Sequence, residues 1–263
     1  MTKTPVLDLE GKNAGEVELP IQFNSTIRPD VIRRAFHAEV SLGFQPKGAY
    51  PLAGLQTSAD YFGRRHRPRS SINVGRSRLP REKLSGMRLG RVRRVPHSVK
   101  GRRAHPPKPE TMLVERINFK EKKLAVRSAI AATGKAEIVR KRGHLFEGRL
   151  PVVVDNSFEA ISKASAARAA LEKLGFAKDL ARAERGRKPA GGRKGGTRTP
   201  RSVLVVYAND KGVSKAVRNL PGVQAVRVDS LAASLLAPGG VAGRLTLWTK
   251  DAISELGAKK LFE

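Results

Sequence analysis

The chain has 263 residues, 40% of them apolar, and sets 52 Lys/Arg against 23 acids for a formal charge of +29. That apolar share suffices for a buried core in one domain or two small ones, while self-repulsion at this charge opposes compaction until a polyanion, nucleic acid first among them, neutralises it. No cysteine is present, which excludes disulfides and thiolate chemistry, and with no 18-residue apolar run, basic amphipathic helix or signal-peptide core the expectation is a soluble intracellular chain without a membrane partner.

Residues 6–9 and 16–19 alternate in polarity around Gly11 and Gly15 and predict a β-hairpin. Pro29 opens a helix to residue 42, with Val31, Ala35, Phe36 and Val40 on one stripe and Gly43 closing it. Residues 61–108 then hold 16 Lys/Arg and one acid, Glu82, with only 12 apolar residues among the 48. These show no sustained period, and Pro68, Pro80, Pro96, Pro106 and Pro107 break any regular element. Such a stretch buries too little apolar surface to offset its ordering entropy. The expectation is an extended, non-globular loop over residues 51–112 that orders against RNA. Its candidate contacts are Arg64, Arg65, Arg67, Arg69, Arg76, Arg78 and Arg88. Arg91, Arg93, Arg94, His97, Lys100, Arg102, Arg103, His105 and Lys108 continue the series. Tyr61 and Phe62 suit base stacking or anchorage to the chain's own domain.

Beyond the loop, residues 121–132 read as a helix with Leu124, Ala125, Ser128 and Ala131 on its face. Strands follow at 136–139 and 151–154, then a helix over 158–174 ended by Gly175. Residues 182–201 carry eight cations against Glu184. Within them, residues 185–201 mix glycine with Arg187, Lys188, Arg193, Lys194, Arg198 and Arg201, a second RNA-binding candidate because glycine lets backbone approach phosphates. Gly191 to Thr197 departs from a phosphate-binding P-loop, since Gly196 stands where the lysine is required. A buried strand at 202–207, a helix at 213–219, a strand at 223–228, a helix at 230–236, a strand at 244–248 and a helix at 250–256 capped by Thr249 complete the chain. Trp248 reads as core. The alternation predicts an α/β fold, a mostly parallel sheet with helices on both faces, assembled from residues 1–50 and 113–263.

No catalytic constellation is readable in the residues. The five histidines (His37, His66, His97, His105, His144) are scattered without metal-ligand spacing, and no nucleophile elbow or dinucleotide fingerprint occurs. Asp155 and Asp229 sit at strand ends and read as caps of the next helices. The glycine turn over 236–245 reads as backbone geometry or an RNA contact. No enzyme, metal or cofactor is expected. The rival readings are a DNA-compacting chromatin protein, on charge alone, and a nucleotide-dependent enzyme, on fold alone.

The sequence also resembles a family. Ile27-Arg28-Pro29-Asp30, residues 53–59 (Ala-Gly-Leu-Gln-Thr-Ser-Ala), residues 93–108 and residues 125–132 look like the universal large-subunit ribosomal protein four in its archaeal form. So do Arg218-Asn219-Leu220-Pro221-Gly222 and residues 236–245. The resemblance runs in order along nearly the whole chain, and the glycine-rich arm and C-terminal extension of eukaryotic members do not appear. It implies a globule on the outside of the large ribosomal subunit and a loop threading the ribosomal RNA in the cytoplasm. The loop tip, within residues 87–103, would line the peptide exit tunnel through Arg91, Arg93 and Arg94. The implied partners are large-subunit ribosomal RNA, neighbouring ribosomal proteins including one with a similar hairpin at the tunnel constriction, and the nascent peptide.

Overall fold

The computed structural model describes residues 3–86, 88–191 and 195–262. The chain divides into two compact units, residues 1–43 with 114–263, and residues 44–113. In the first, β1 (Lys3–Leu7) and β2 (Asn13–Glu18) form the expected hairpin and α1 (Pro29–Ser41) follows with Pro29 in its first turn. The second unit holds β3 (Arg81–Lys83) and β4 (Leu89–Val92), a short antiparallel pair that the sequence did not predict in this proline-broken stretch. Gly86, at φ 63°, turns the chain between them.

The first unit resumes with α2 (Phe119–Thr133), α3 (Ala136–Lys141) and β5 (Val152–Val154). The expected strand at 136–139 is instead the start of α3. Four apolar-leaning residues are too few to separate strand from helix by period. Glu137 in the first turn and Arg140 and Lys141 in the last suit the helix dipole. The single helix expected over 158–174 is also corrected. Asp155 accepts a hydrogen bond from the Ser157 amide to cap a 3-10 turn, Asn156–Ala160, and α4 (Ala164–Leu171) begins after a break. Gly175, at φ 89°, then joins α4 through a π turn to α5 (Ala177–Arg185), a helix missed because its cations were counted with the basic loop.

Within that loop lies a two-residue-long antiparallel pair, β6 (Lys188–Pro189) with β7 (Thr197–Arg198). After it come β8 (Leu204–Tyr207), α6 (Val213–Arg218), β9 (Gln224–Arg227), α7 (Ala233–Leu236), β10 (Thr246–Thr249) and α8 (Lys250–Ala258). Thr249 caps α8 through the Ala252 amide, as expected. Asp229 does not cap α7. It pairs with Arg227 and Lys259, and the α7 amides of Ala233 and Ser234 donate to the Glu39 carboxylate of α1 instead.

These strands form one sheet in the order β2-β1-β5-β10-β8-β9, parallel except for the β1–β2 hairpin. Every residue of β5, β8 and β10 is buried, as a parallel sheet covered on both faces requires. Val153, Leu204, Val206 and Trp248 pack in one layer with α1, α2 and α8. Val152, Val154, Val205 and Leu247 pack in the other with α4, α5 and α6. Each such side chain contributes about 1.5–3 kcal/mol. Trp248 is core, edge-on to Phe23 at 5.3 Å. In the 236–245 turn, Gly243 has φ 92°, and a Cβ there would meet Ile138 Cγ2 at 2.6 Å, so close packing on α3 fixes that glycine.

Arg244 lies at the entry to β10 with no exposed surface. Its guanidinium donates to Ser202 O, Gln224 Oε1, Leu235 O and Gly222 O at 3.0, 2.7, 2.9 and 3.4 Å. Burial pulls it down to about 9, still charged at neutral pH. One side chain thereby ties together the entries to β8, β9 and β10. Arg244→Leu would orphan these acceptors and is expected to cost about 3–5 kcal/mol, read as a lower urea midpoint with unchanged slope. A cost below about 1 kcal/mol would refute the bracing role.

Candidate nucleic-acid interface

Helices of an α/β unit run antiparallel to the strands, so their C-terminal turns gather at the amino ends of the strands. In four of the helices those turns are basic: Arg140 and Lys141 in α3, Arg168 in α4, Arg182 and Arg185 in α5, Lys215 and Arg218 in α6. Cations are favoured there by the helix dipole. At that end of the first unit lies an open groove of about 1690 Å³, lined by Lys141, Arg142, Arg168, Arg182 and Arg218. The β6–β7 loop adds Arg187, Arg198 and Arg201 to the same lining, and Glu184 is the one acid on it. Phe36 and Val40 of α1 form an apolar border.

Of the loop residues expected to bind RNA, Arg187, Arg198 and Arg201 therefore join the groove, Lys188 is exposed beside it, and Arg193 and Lys194 lie outside the described residues. Sequence reasoning missed Lys141, Arg142, Arg168, Arg182 and Arg218, because they are dispersed over 78 positions. The recurrence of cations in successive last helical turns was the signal available.

A buried polar node holds the groove's floor. Asp179 of α5 has no exposed surface and receives Arg182 Nε at 2.9 Å, Ser202 Oγ at 2.6 Å and the Leu145 amide at 3.1 Å, with His144 Nδ1 at 3.2 Å. Arg182 also donates to Arg201 O at 2.8 Å. Burial works to raise the Asp179 pKa, and the hydrogen bonds from His144, Arg182 and Ser202 outweigh it, leaving the carboxyl below its ordinary range. Arg142 donates to Pro238 O and Val241 O, which fixes the opposite wall.

The carboxyl ends of the strands hold a buried acid. Open α/β sheets bind substrates at the carboxyl ends of their strands. There the Glu159 carboxylate, 1% exposed, receives the Ala208 amide past β8 and the Thr249 hydroxyl closing β10, at 2.9 and 2.7 Å, and also the Asn209 amide. A buried, fully hydrogen-bonded carboxylate thus ties the ends of β8 and β10 together. Among the described residues, no group of three or more His, Asp or Glu could hold a metal ion, and no helix is long and apolar enough to cross a membrane.

The second unit presents the other predicted cations. Among its described residues only Ala59 and Ser71 are buried. Arg65, His66, Arg67, Arg69, Arg76 and Arg88 line a concavity of about 880 Å³. Arg64, Arg78, Arg91, Arg94, His97, Lys100, Arg102, Arg103, His105 and Lys108 are exposed outside it. Arg93 is different. It donates to Glu82 at 2.9 Å and to Val99 O at 2.5 Å, with only 15% of its side chain exposed. Phe62 is half-buried with Lys83 Nζ 5.0 Å from its ring centre, whereas Tyr61 is exposed. Backbone contact replaces side-chain packing here: at Gly54, φ 76°, a Cβ would fall 2.5 Å from the Arg102 nitrogen.

The α/β sheet, the basic groove at the amino ends of its strands and the cation-covered second unit have the make-up of a nucleic-acid-binding protein. The sequence matches the Ribosomal protein L4/L1 family over residues 17–259, and the chain belongs to that family. It is similar to proteins named large ribosomal subunit protein uL4 in archaea. It is 45% identical to that of Methanocaldococcus jannaschii over 99% of this chain and 100% of the relative. It is 46% identical to that of Archaeoglobus fulgidus over 97% and 98%, and 44% identical to that of Methanothrix thermoacetophila over 95% and 97%. The chromatin reading gains no support from these matches.

The Asp179 node sets an acid limit. Its pKa is lower folded than unfolded, so its contribution is full above the unfolded value of about 3.9 and is lost as pH falls further. The thermal midpoint should drop below about pH 4. Asp179→Asn should lower the midpoint at neutral pH and flatten that acid limb in a melting series; an unchanged limb would remove Asp179 from the account.

Proposed function

We infer that this chain is a structural constituent of the large ribosomal subunit, binding large-subunit ribosomal RNA and supporting subunit assembly in the cytoplasm. The observation that carries this is the second unit: residues 61–108 hold 16 Lys/Arg against one acid, and residues 44–113 bury almost nothing. Such a unit is completed by a polyanion. Family membership favours RNA of the large subunit, the assembly named for the archaeal relatives.

The finer reading is that residues 51–112 work as an extended arm within the RNA, with its tip at residues 87–103 lining the peptide exit tunnel. Exposed Arg91 and Arg94 suit a surface facing the nascent peptide, while Arg93, tied to Glu82 and Val99, braces them. Neighbouring large-subunit proteins, including the other constriction hairpin, complete the surroundings. The basic groove of the first unit supplies further phosphate contacts through Arg187, Arg198, Arg201 and Arg218.

Counterion release makes the binding salt-dependent. With about six to ten phosphate contacts, affinity for large-subunit RNA should fall roughly a thousandfold or more between 50 and 200 mM salt. Deleting Ser71 to Arg103 should leave the first unit folded, since its core lies elsewhere, and deplete the large-subunit peak on sucrose gradients. Normal particles assembled with the deleted protein would refute the proposal.

A further inference from the structure

We propose that the concavity lined by residues 65–76 with Leu84, Arg88 and Leu89 seats an unstacked nucleotide of RNA, its phosphate on an arginine rim and its base on an apolar wall. The inference rests on the RNA-binding reading above and goes beyond general charge attraction. At about 880 Å³ the concavity lies within the range of clefts that enclose small-molecule-sized ligands. Its lining contains no acid. Among the described residues, no ion pair involves Arg65, Arg67, Arg69, Arg76 or Arg88, so these cations have no carboxylate to surrender before taking a phosphate.

Three features separate a nucleotide seat from a patch for helical backbone. The first is the wall: Ile72, Val74, Leu84 and Leu89 line the same space, with Val74 50% and Leu84 47% exposed. Phosphates alone give such side chains nothing, whereas a base has an apolar face to lay on them. The second is an unmet donor. Arg69 Nε is buried without a hydrogen-bond partner, while the same guanidinium holds Leu84 O at 3.0 Å. Buried donors left unpaired are costly and rare in finished folds; Arg81 Nε of the same unit is likewise unpaired, and a phosphate oxygen or base carbonyl would pair Arg69 Nε once its guanidinium turns toward the concavity. The third is rigidity. Arg76 donates to Leu89 O at 3.0 Å, so two arginines pin the turn to the β3–β4 hairpin. His66, Arg69 and Asn73, all lining residues, hold positive φ of 55°, 62° and 58°, backbone strain of the kind found at ligand clamps.

The occupant is single-stranded. In an A-form duplex the bases are stacked inside and present no free face to a concave wall, whereas a loop or bulge splays nucleotides outward.

The test uses the full-length chain and transcribed large-subunit ribosomal RNA from the same cells, with filter binding across salt and ultraviolet cross-linking mapped on both partners. Val74→Asn with Leu84→Asn changes the wall at half-exposed positions without altering charge. It should weaken binding about tenfold or more, leave the salt slope unchanged and abolish an adduct joining residues 65–89 to an unpaired nucleotide. Arg102→Ala with Arg103→Ala, outside the concavity, should lower the salt slope by about two and keep the adduct. Arg88→Gln should weaken binding, and the exposed position of Arg88 makes misfolding no explanation. Wild-type binding by the wall variant, or cross-links confined to paired nucleotides, would overturn the nucleotide seat while leaving RNA binding intact. Displacement of RNA by micromolar adenosine monophosphate would reassign the site to a free nucleotide and overturn it too. No binding by the unaltered chain would overturn both readings.

Discussion

Three parallel strands with no solvent-facing residue govern the first unit. Because β5, β8 and β10 are buried on both faces, helices must cover both, and because each crossover returns the chain to the starting edge, those helices end where the strands begin. Their last turns favour cations. The basic groove is thus a consequence of the sheet: Lys141, Arg168, Arg182 and Arg218 converge because burial of valine and leucine aligned the helices that carry them. At the opposite end Glu159 binds the ends of β8 and β10 with three hydrogen bonds. The same fold thus places its basic groove at the pole opposite the one enzymes of this class use.

Nothing equivalent organises residues 44–113. Hydrophobic burial is nearly absent there, so the unit depends on short backbone approaches, such as Gly54 against Arg102, and on side chains that bridge turns. Arg93 shows the cost. To place a guanidinium against Val99 O and Glu82, the unit uses the single acid that residues 61–108 contain. Among the described residues, the other fifteen cations of that stretch have no internal counter-charge of comparable proximity, and their mutual repulsion is relieved when outside phosphates enter.

The sheet was legible because its strands are continuous apolar runs of the length a doubly covered strand needs, as at 202–207, and because Pro29, Gly43 and Thr249 mark helix ends by local chemistry. The errors fall where local pattern is short or shared. Residues 136–139 satisfy a strand and a helical turn equally, and packing of Val139 into the core decided for helix. Residues 158–174 keep helical character throughout, so the break after Ala160 was invisible. In α5, Leu180 and Ala183 supply only one apolar face among cations, which disguised it as loop. For the site, clustered cations were readable as clusters, but the groove unites residues far apart in sequence, and only topology brings them together. The short β3–β4 pair was hidden because proline and glycine ordinarily mark breaks; here Pro80 and Gly86 sit just outside the paired residues and Gly90 lies within β4, against Glu82.

Arginine does two kinds of work in this chain, and counting charge alone confuses them. Arg69, Arg76, Arg93, Arg142, Arg182 and Arg244 each donate to a backbone carbonyl of their own unit. A planar fork with five donors can bridge two turns at once and keep its charge, which lysine's single ammonium cannot do as well. Where apolar residues are scarce, these bridges take over part of the fastening that a core provides elsewhere. They also fix the geometry in which the remaining cations are presented: Arg69 and Arg76 set the wall facing Arg65 and Arg88, Arg93 sets Arg91 and Arg94, and Arg182 sets Arg201. The residues that hold RNA are therefore best sought among the exposed arginines that have no internal acceptor, next to those that do.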